Sequence, residues 1–251
     1  MKSKCAVCGN KELISLKTNL NFVSSDIKML RFKASHAICE NCLTIQKQID
    51  KKYLNNISNI YKNYNAFQKF NVIDQKKIFN GSFINRCAII YDSIIKKKVS
   101  NSNSILDYGS GNGAMLEPFI LSKKNYKLFA CDVNNNISKN ITKNNKFKEF
   151  INIKNFSKDK KKYDLITVIH TLEHLTNPGE TLALLKNKLT NKGKIFIQIP
   201  DFHSNPYDLI VYDHTVHYNI NAIKKLAKEN DMQIVFLSNK TISCEISFLL
   251  S

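Results

Sequence analysis

The sequence predicts an α/β fold, in which a doubly wound sheet of seven mostly parallel strands follows a small N-terminal module. In the second half of the chain, short apolar runs alternate with helical segments, and continuous apolar runs are typical of parallel strands covered on both faces. The first 50 residues instead contain two Cys-x-x-Cys pairs and little helical periodicity. The predicted strands are residues 105–107, 127–132, 149–153, 165–169, 194–199, 233–237 and 245–250, and helical stretches include 181–189 and 222–229.

Composition and periodicity divide the chain into three parts. With 251 residues, it is long enough for one medium α/β domain and a small appendage. We predict a cysteine-containing module at residues 1–50, a helical linker or cap at 51–100, and the α/β domain at 101–251. Tyr61 and Tyr64 lie at helical spacing in the linker, which is more typical of packing residues than of residues that close over a ligand.

A glycine-rich loop follows the first predicted strand of the α/β domain. Gly109, Gly111 and Gly113 alternate with polar residues, and such glycines let the backbone turn tightly and approach a ligand. Asp132 ends the next strand, where a carboxylate can accept both hydroxyl groups of a ribose. The spacing differs from the G-x-G-x-x-G of dinucleotide sites, and Asp107 beneath the loop would repel a pyrophosphate but attract an ammonium group. The loop therefore predicts S-adenosylmethionine as the cofactor.

Residues 105–200 resemble the class I, Rossmann-like methyltransferases. The resemblance rests on four matches, namely the loop at 105–113, Asp132, the strand and turn at 163–175, and the turn into a strand at 191–197. It implies that the chain is an S-adenosylmethionine-dependent methyltransferase. It also implies that Asn155 and Phe156 flank the adenine, and that His170 and Thr171 lie near the methionine moiety of the cofactor.

The N-terminal cysteines predict a metal site. Two Cys-x-x-Cys pairs can supply the four thiolates of a tetrahedral zinc ion, and a closed shell of four thiolates is typical of a structural site. Four unliganded thiols are the alternative, which the paired spacing disfavours. The predicted ligands are Cys5, Cys8, Cys39 and Cys42, whereas Cys87, Cys131 and Cys244 lie in apolar segments and are predicted to be ordinary buried cysteines.

The four cysteines make the chain more similar to those methyltransferases that carry an N-terminal zinc module. A cysteine-rich zinc module precedes the catalytic domain in the sugar C-methyltransferases, which act on nucleotide-linked deoxysugars, and in a group of rRNA guanine methyltransferases. The rRNA group typically includes a histidine among its ligands, so this chain is more similar to the sugar group. That resemblance implies that His214 is a general base, preceded by the acid Asp213. The chain departs from the group at Val211, where a tyrosine is expected, and histidines that cap a loop are the alternative interpretation.

Residues 170–174 also match the H-x-x-E-H motif of zinc peptidases. That motif requires a helix, whereas this segment directly follows a predicted buried strand, so a peptidase is disfavoured. We predict that Glu173 and His174 form a structural pair at the start of a helix. An accessory metal ion at this turn is the alternative that the sequence leaves open.

The charge of the chain does not by itself indicate a partner. The net charge of +18 is typical of proteins that bind nucleic acid. However, only Arg31 and Arg86 among the 38 basic residues are arginine, the residue that makes bidentate contacts with nucleic acid. The lysines are scattered, so a solvated surface is favoured over a nucleic-acid interface.

These observations predict a cytoplasmic methyltransferase with a structural zinc ion. No apolar run approaches the ~20 residues that span a bilayer, and the N-terminus lacks the apolar segment of an export signal. The expected acceptor is a small polar molecule, namely a nucleotide-linked sugar or another precursor of a surface glycan or natural product. The alternatives are an rRNA or tRNA methyltransferase and a non-catalytic zinc-ribbon protein that binds RNA.

Overall fold

The computed structural model describes residues 4–62, 64, 74–99 and 101–251. Parts of the predicted linker, namely residues 63, 65–73 and 100, lie outside this range. Within the described residues, no helix combines the length and the apolar character needed to cross a membrane.

Short strands are concentrated in the N-terminal part, and strands alternate with helices after residue 104. The strands are β1 Leu13–Leu16, β2 Phe22–Val23, β3 Met29–Leu30, β4 His36–Cys39, β5 Ile45–Lys47, β6 Lys76–Phe79, β7 Ser82–Asn85, β8 Ser104–Tyr108, β9 Lys127–Asp132, β10 Phe147–Asn152, β11 Tyr163–Ile169, β12 Leu189–Pro200, β13 Val216–His217, β14 Ile234–Ser238 and β15 Glu245–Leu250. The helices are α1 Lys51–Lys62, α2 Arg86–Ile90, α3 Lys96–Lys98, α4 Glu117–Leu121, α5 Lys139–Thr142, α6 Ile153–Phe156, α7 Pro178–Lys186 and α8 Ile220–Glu229. A π-helical stretch, Tyr91–Ile95, joins α2 to α3, and 3-10 turns occur at Ala114–Leu116, Leu172–His174 and Pro206–Ile210.

Seven strands form the central sheet, in the order β10-β9-β8-β11-β12-β15-β14. The pairs from β10 to β12 are parallel, and β15 is antiparallel to both β12 and β14. This confirms the predicted seven-stranded, mostly parallel sheet. The strand order reverses between β8 and β11, and ligands of such sheets bind in the crevice at the carboxyl ends beside this point. The other strand boundaries differ from the predicted ones by at most two residues, but β12 begins at Leu189 rather than at residue 194, because a register shift against β11 lets turn residues pair as well.

The central sheet is covered on both faces because successive side chains of a strand point to opposite sides. In β8, Leu106 is fully buried in the layer that contains residues of α7 and α8. Its neighbour Ile105 is fully buried in the opposite layer, with residues of α2 and α4. This alternation explains why the strands of the sheet read as continuous apolar runs.

The N-terminal part forms a four-stranded sheet in the order β1-β4-β5-β13, which includes a strand from far along the chain. Strand β13 pairs antiparallel with β5, with Val216 opposite Gln46 and His217 opposite Ile45. The loop that precedes β13 is therefore held against the N-terminal sheet.

Helix α1 packs on this region through an aromatic cluster. Tyr53 of α1 donates a hydrogen bond from its hydroxyl to the carbonyl of Tyr212, at 3.0 Å, and the two ring centroids are 5.2 Å apart. Phe22 of β2 meets the Tyr212 ring edge-on at 5.6 Å. The cluster therefore joins α1, the N-terminal part and the loop before β13.

Candidate active site

The glycine-rich loop lies at the carboxyl end of β8 and leads into the turn at Ala114–Leu116. Gly109 and Gly113 have φ angles of 76° and 86°, in the left-handed region that favours glycine. The amide of Gly111 donates a hydrogen bond to Oδ2 of Asp132 at 2.7 Å. The loop is thus fastened to the end of β9, with the carboxylate of Asp132 beside it.

Gly109 allows a close approach to the turn after β11. A Cβ atom at this position would lie 2.1 Å from Oγ1 of Thr171 and 2.5 Å from its Cγ2. We therefore expect Gly109→Ala to displace the loop and to weaken S-adenosylmethionine binding at least tenfold, as measured by calorimetry. Gly81→Ala is the matched control, because Gly81 has a similar φ of 77° but nothing within 4 Å of its added Cβ. Both substitutions carry the left-handed strain of roughly 1–2 kcal/mol, so equal losses of stability and unchanged cofactor affinity would contradict the steric argument.

Two carboxylates flank the loop. Asp107 is 2% exposed and its Oδ1 accepts a hydrogen bond from Oγ1 of Thr167 at 2.7 Å. Burial raises the pKa of Asp107 to about 7, with a further increase from the charge of Asp132 that the Thr167 hydrogen bond opposes. Asp132 is less buried, and its Oδ1 accepts a hydrogen bond from the amide of Val133 at 2.6 Å. Burial therefore disfavours the ionised form of Asp107, and a bound cation would stabilise that form.

A cavity of about 360 Å³ lies beside the glycine loop and the end of β11. Side chains of the N-terminal part form another side of it, and three imidazoles contribute to its wall. Polar and charged residues of this lining are Ser24, Ser25, Tyr64, Gln75, Arg86, Asp107, Ser110, Asn112, His170, His174 and His214, together with the backbone of Gly109. The structure thus brings the glycine loop, Asp107, His170 and His214 together around one space.

Asn155 and Phe156 lie outside the described lining of this cavity. Phe156 is fully buried, with its ring centroid 5.4 Å from that of Tyr108 and 5.5 Å from Nζ of Lys188. Asn155 is exposed in α6. In this conformation Phe156 has no exposed surface for an adenine to contact, and the adenine-binding role of the pair stays a prediction.

His170 follows β11 with a φ angle of 47°, and its ring lies between two acidic residues. Its Nδ1 lies 3.3 Å from Oε1 of Glu173, and its Nε2 lies 3.2 Å from Oε2 of Glu245. Burial and the charge of Arg86 lower the pKa of His170, but the two carboxylates outweigh them and raise it. His170 lines the cavity next to the glycine loop, and its role near the methionine moiety stays a prediction.

His214 is anchored by a carboxylate that sequence reasoning missed. Its Nδ1 donates a hydrogen bond to Oδ1 of Asp208 at 2.5 Å, and Nδ1 of His217 donates to Oδ2 of the same residue at 2.5 Å. Burial lowers the pKa of His214, but the contact with Asp208 outweighs it and raises the pKa. Nε2 of His217 in turn accepts a hydrogen bond from the fully buried Lys47, at 3.1 Å. A chain of polar contacts thus connects His214 to β5 of the N-terminal sheet.

Asp213, the acid expected to assist His214, contacts other groups. Its Oδ1 accepts a hydrogen bond from the amide of Ser25 at 2.8 Å, and its Oδ2 accepts one from Oγ of Ser25 at 2.5 Å. Its backbone carbonyl accepts a hydrogen bond from Nδ1 of His174 at 2.9 Å. Asp213 therefore joins the N-terminal part to the His174 turn, and the position of His214 depends directly on Asp208.

The four N-terminal cysteines converge at one point. Their four Sγ atoms all lie within 4.8 Å of one another. The Sγ atoms of Cys5 and Cys42 are 3.6 Å apart, and so are those of Cys8 and Cys39. A tetrahedral zinc ion with bonds of about 2.3 Å would place its sulfur ligands about 3.8 Å apart, so the donor set fits zinc. The side-chain amide of Asn10 is 3.8 Å from Sγ of Cys39, where it would donate to a thiolate.

The family of the chain follows from its sequence together with this geometry. A family described as a methyltransferase domain matches residues 79–236, which include β8 to β13, the glycine loop and His214. The chain belongs to this family. It is an S-adenosylmethionine-dependent methyltransferase, as the loop and Asp107 predicted. No curated protein sequence matches the chain.

Solved structures support the same fold for the methyltransferase. An S-adenosylmethionine-dependent methyltransferase from Clostridium acetobutylicum is 17% identical with a TM-score of 0.53, and the match covers 65% of this chain and 90% of that one. A putative O-methyltransferase from Nostoc punctiforme is 15% identical with a TM-score of 0.54, over 65% of this chain and 55% of that one. The CurJ carbon methyltransferase is 15% identical with a TM-score of 0.54, and the match covers 65% of this chain and 53% of that one.

Three acidic residues around the methyltransferase site were not singled out by sequence reasoning as site residues. Asp208 anchors His214, Glu245 contacts His170, and Asp74 lies 3.9 Å from the guanidinium of Arg86. Asp208 lies six residues before His214, in a segment without helical or strand periodicity, and Glu245 begins the last strand. Only the acidic residue type was visible in the sequence, because long-range packing creates these contacts.

Proposed function

We propose that the methyltransferase transfers a methyl group to a small polar acceptor in the cavity, and that a nucleotide-linked sugar is the first acceptor to test. The observation that carries this proposal is that the glycine loop, Asp107 and His214 line the same space of about 360 Å³. One wall would hold the cofactor, and the imidazole of His214 would face the acceptor across the cavity.

The cofactor side of the cavity matches the chemistry of S-adenosylmethionine. Asp107 would bind the α-ammonium group, and the loop from Gly109 to Gly113 would approach the methionine portion. Asp132, which contacts the loop at Gly111 from outside the described lining, would accept the ribose hydroxyls. The sulfonium supplies an activated methyl group whose transfer depends on alignment with the acceptor. Since Asp107 is buried and its pKa is raised to about 7, an ammonium group would stabilise its ionised form.

The acceptor side favours a small molecule with hydroxyl groups. Ser25, Tyr64, His174 and His214 offer hydroxyl and imidazole groups to the cavity. In our proposal His214 is the group that accepts the acceptor's proton, and Asp208 holds its ring through Nδ1. Asp213, the acid that precedes His214 in the sequence, would act indirectly by fixing Ser25 and His174.

The charge around the cavity supports a small acceptor over rRNA or tRNA. Arg86 is the one lysine or arginine of the described lining, and its guanidinium lies 3.9 Å from the carboxylates of both Asp74 and Glu245. RNA recognition depends on free cationic groups that contact phosphates.

We also propose that a structural zinc ion binds Cys5, Cys8, Cys39 and Cys42. Cysteines without disulfide bonds are typical of the reducing cytoplasm, where we propose that the protein acts.

The proposal is tested by following labelled methyl groups from S-adenosylmethionine. The enzyme is incubated with nucleotide-linked deoxysugars in one series and with total rRNA and tRNA in the other. We expect label in the sugar fraction, and we expect His214→Asn to reduce the transfer at least a hundredfold, since general acid–base catalysis contributes roughly 10²–10⁴-fold. Cofactor affinity of this variant, measured by calorimetry, should be unchanged.

His203→Asn is the matched control, because the His203 ring is exposed and stacks on Phe202 outside the described lining of the cavity. Label in RNA and none in the sugars would contradict the acceptor assignment. Absence of heat with S-adenosylmethionine, from a folded protein, would contradict the cofactor assignment instead.

A further inference from the structure

Glu173 is a buried carboxylate that lacks a hydrogen-bond partner. It is 1% exposed, and neither of its carboxylate oxygens accepts a hydrogen bond from a residue that the structure describes. Nδ1 of His170 lies 3.3 Å from Oε1, but without the geometry of a hydrogen bond. A buried carboxylate that accepts no hydrogen bond is costly, so a cation bound at this position would stabilise it.

Two imidazoles next to Glu173 each have one nitrogen already engaged. Nδ1 of His174 donates to the carbonyl of Asp213 at 2.9 Å, and Nδ1 of His214 donates to Asp208 at 2.5 Å. In both rings the lone pair therefore lies on Nε2. Histidines that bind metal ions typically donate their other N–H to a carbonyl or a carboxylate in this way, which fixes the tautomer and the ring orientation.

The two segments that carry these residues are fixed to each other. The amide of Thr215 donates a hydrogen bond to the carbonyl of Glu173 at 2.7 Å, and its hydroxyl donates to the carbonyl of His174 at 3.3 Å. The His174 and His214 rings meet edge-to-face with centroids 4.7 Å apart. The three side chains are therefore held together before any ligand binds.

We propose that Glu173, His174 and His214 bind a divalent metal ion at the wall of the cavity. One ligand atom of each lies within 4.8 Å of the others, so small side-chain rotations would bring all three onto one ion. Two imidazoles and one carboxylate suit first-row transition ions such as Mn²⁺, Fe²⁺ and Zn²⁺. His174 and His214 line the cavity, which leaves open coordination positions for oxygen atoms of an acceptor.

The metal site does not depend on the identity of the acceptor, but it would replace the proton-accepting role that the proposed function gives to His214. With an ion bound, His214 would be a ligand, and the ion would hold the acceptor oxygen in its place. Without an ion, His214 is free to accept a proton. The two roles use the same nitrogen, so a direct measurement of metal binding decides between them.

The test is a titration of the zinc-loaded protein with Mn²⁺, in which unbound Mn²⁺ is measured by its electron paramagnetic resonance signal. Mn²⁺ is chosen because it prefers carboxylate and water ligands over thiolates, so the four cysteines do not compete for it. We expect one Mn²⁺ per chain in the unmodified protein. Glu173→Gln and His214→Asn should weaken this binding at least tenfold, since even partners of ligands contribute about 10–100-fold to affinity.

The matched controls remove the same chemical groups from exposed positions. Glu180→Gln and His203→Asn should bind Mn²⁺ as the unmodified protein does. The proposal is overturned when the unmodified protein leaves all Mn²⁺ free, or when Glu173→Gln and His214→Asn bind it unchanged. If Glu173→Gln does not fold, His214→Asn carries the test alone. Cofactor affinity and methyl transfer to the nucleotide-linked deoxysugars are measured on the same samples, so a failure of the proposed function would be seen separately as the absence of one or both in the unmodified protein.

Discussion

Removal of metal from the four-cysteine cluster is expected to disrupt the N-terminal sheet and to lower the melting temperature by at least ~10 °C. Structural zinc sites contribute roughly 10–16 kcal/mol in small zinc-binding peptides, and the loss of even about 5 kcal/mol would lower Tm by roughly 10–20 °C in a chain of this size. The reason is that Cys5, Cys39 and Cys42 are almost fully buried, and without the ion nothing links their thiols across the module.

Scanning calorimetry of the protein with and without a strong chelator measures this effect, and Cys39→Ser should reproduce it. Cys244→Ser is the matched control, because Cys244 lies outside the cluster and is partly exposed. We expect metal removal to displace His214 as well, since β5 pairs with β13 and Lys47 of β5 contacts His217 of β13. A chelated protein with an unchanged transition would show that the cysteines do not need a metal ion.

The second large effect is expected for Asp107→Asn, which should weaken S-adenosylmethionine binding roughly 10–100-fold. A hydrogen bond to a charged group contributes about 1.5–3 kcal/mol, and the amide cannot replace the carboxylate as the partner of an ammonium group. Because burial raises the pKa of Asp107 to about 7, the cofactor affinity of the unmodified protein should increase as the pH rises through 7, and this increase should be absent in Asp107→Asn.

Stability without cofactor should change in the opposite direction. The pKa of Asp107 is raised from its ordinary value of 3.8 to about 7 in the folded protein, so the ionised carboxylate opposes folding above that range. Asp107→Asn should therefore melt at a higher temperature than the unmodified protein near pH 8, and the difference should shrink towards pH 4. Asp231→Asn, which changes an exposed carboxylate, is the control for both measurements. A variant that binds the cofactor normally would contradict our assignment of Asp107.

The central sheet could be predicted from the sequence because its signal is local. Strands buried on both faces read as apolar runs, and the glycine loop between β8 and the next turn has its own spacing. Pairing between β5 and β13 has no such signal, since two-residue contact segments far apart in the chain show no periodicity. The early start of β12 was also missed, because it depends on the register that β11 imposes.

The candidate site was predictable as a set of residue types but not as a set of contacts. Asp213 was expected to assist His214 because it precedes it, yet Asp213 lies in a turn, where neighbouring side chains point in different directions. The side chain of Asp213 accordingly contacts Ser25, and Asp208 reaches His214 from a separate turn. Phe156 illustrates the same limit, since its position after β10 was visible but its burial against Tyr108 was not.

The pairing of β5 with β13 also affects the order in which the protein can fold during synthesis. Lys47 and its partner His217 are separated by 170 positions, so the N-terminal sheet has an open edge until most of the chain has left the ribosome. Residues 1–50 are made well before residues 216 and 217, which supply the last strand of their sheet. A ribosome stalled before residue 216 would therefore carry a cysteine module whose β5 edge is free to pair with other chains.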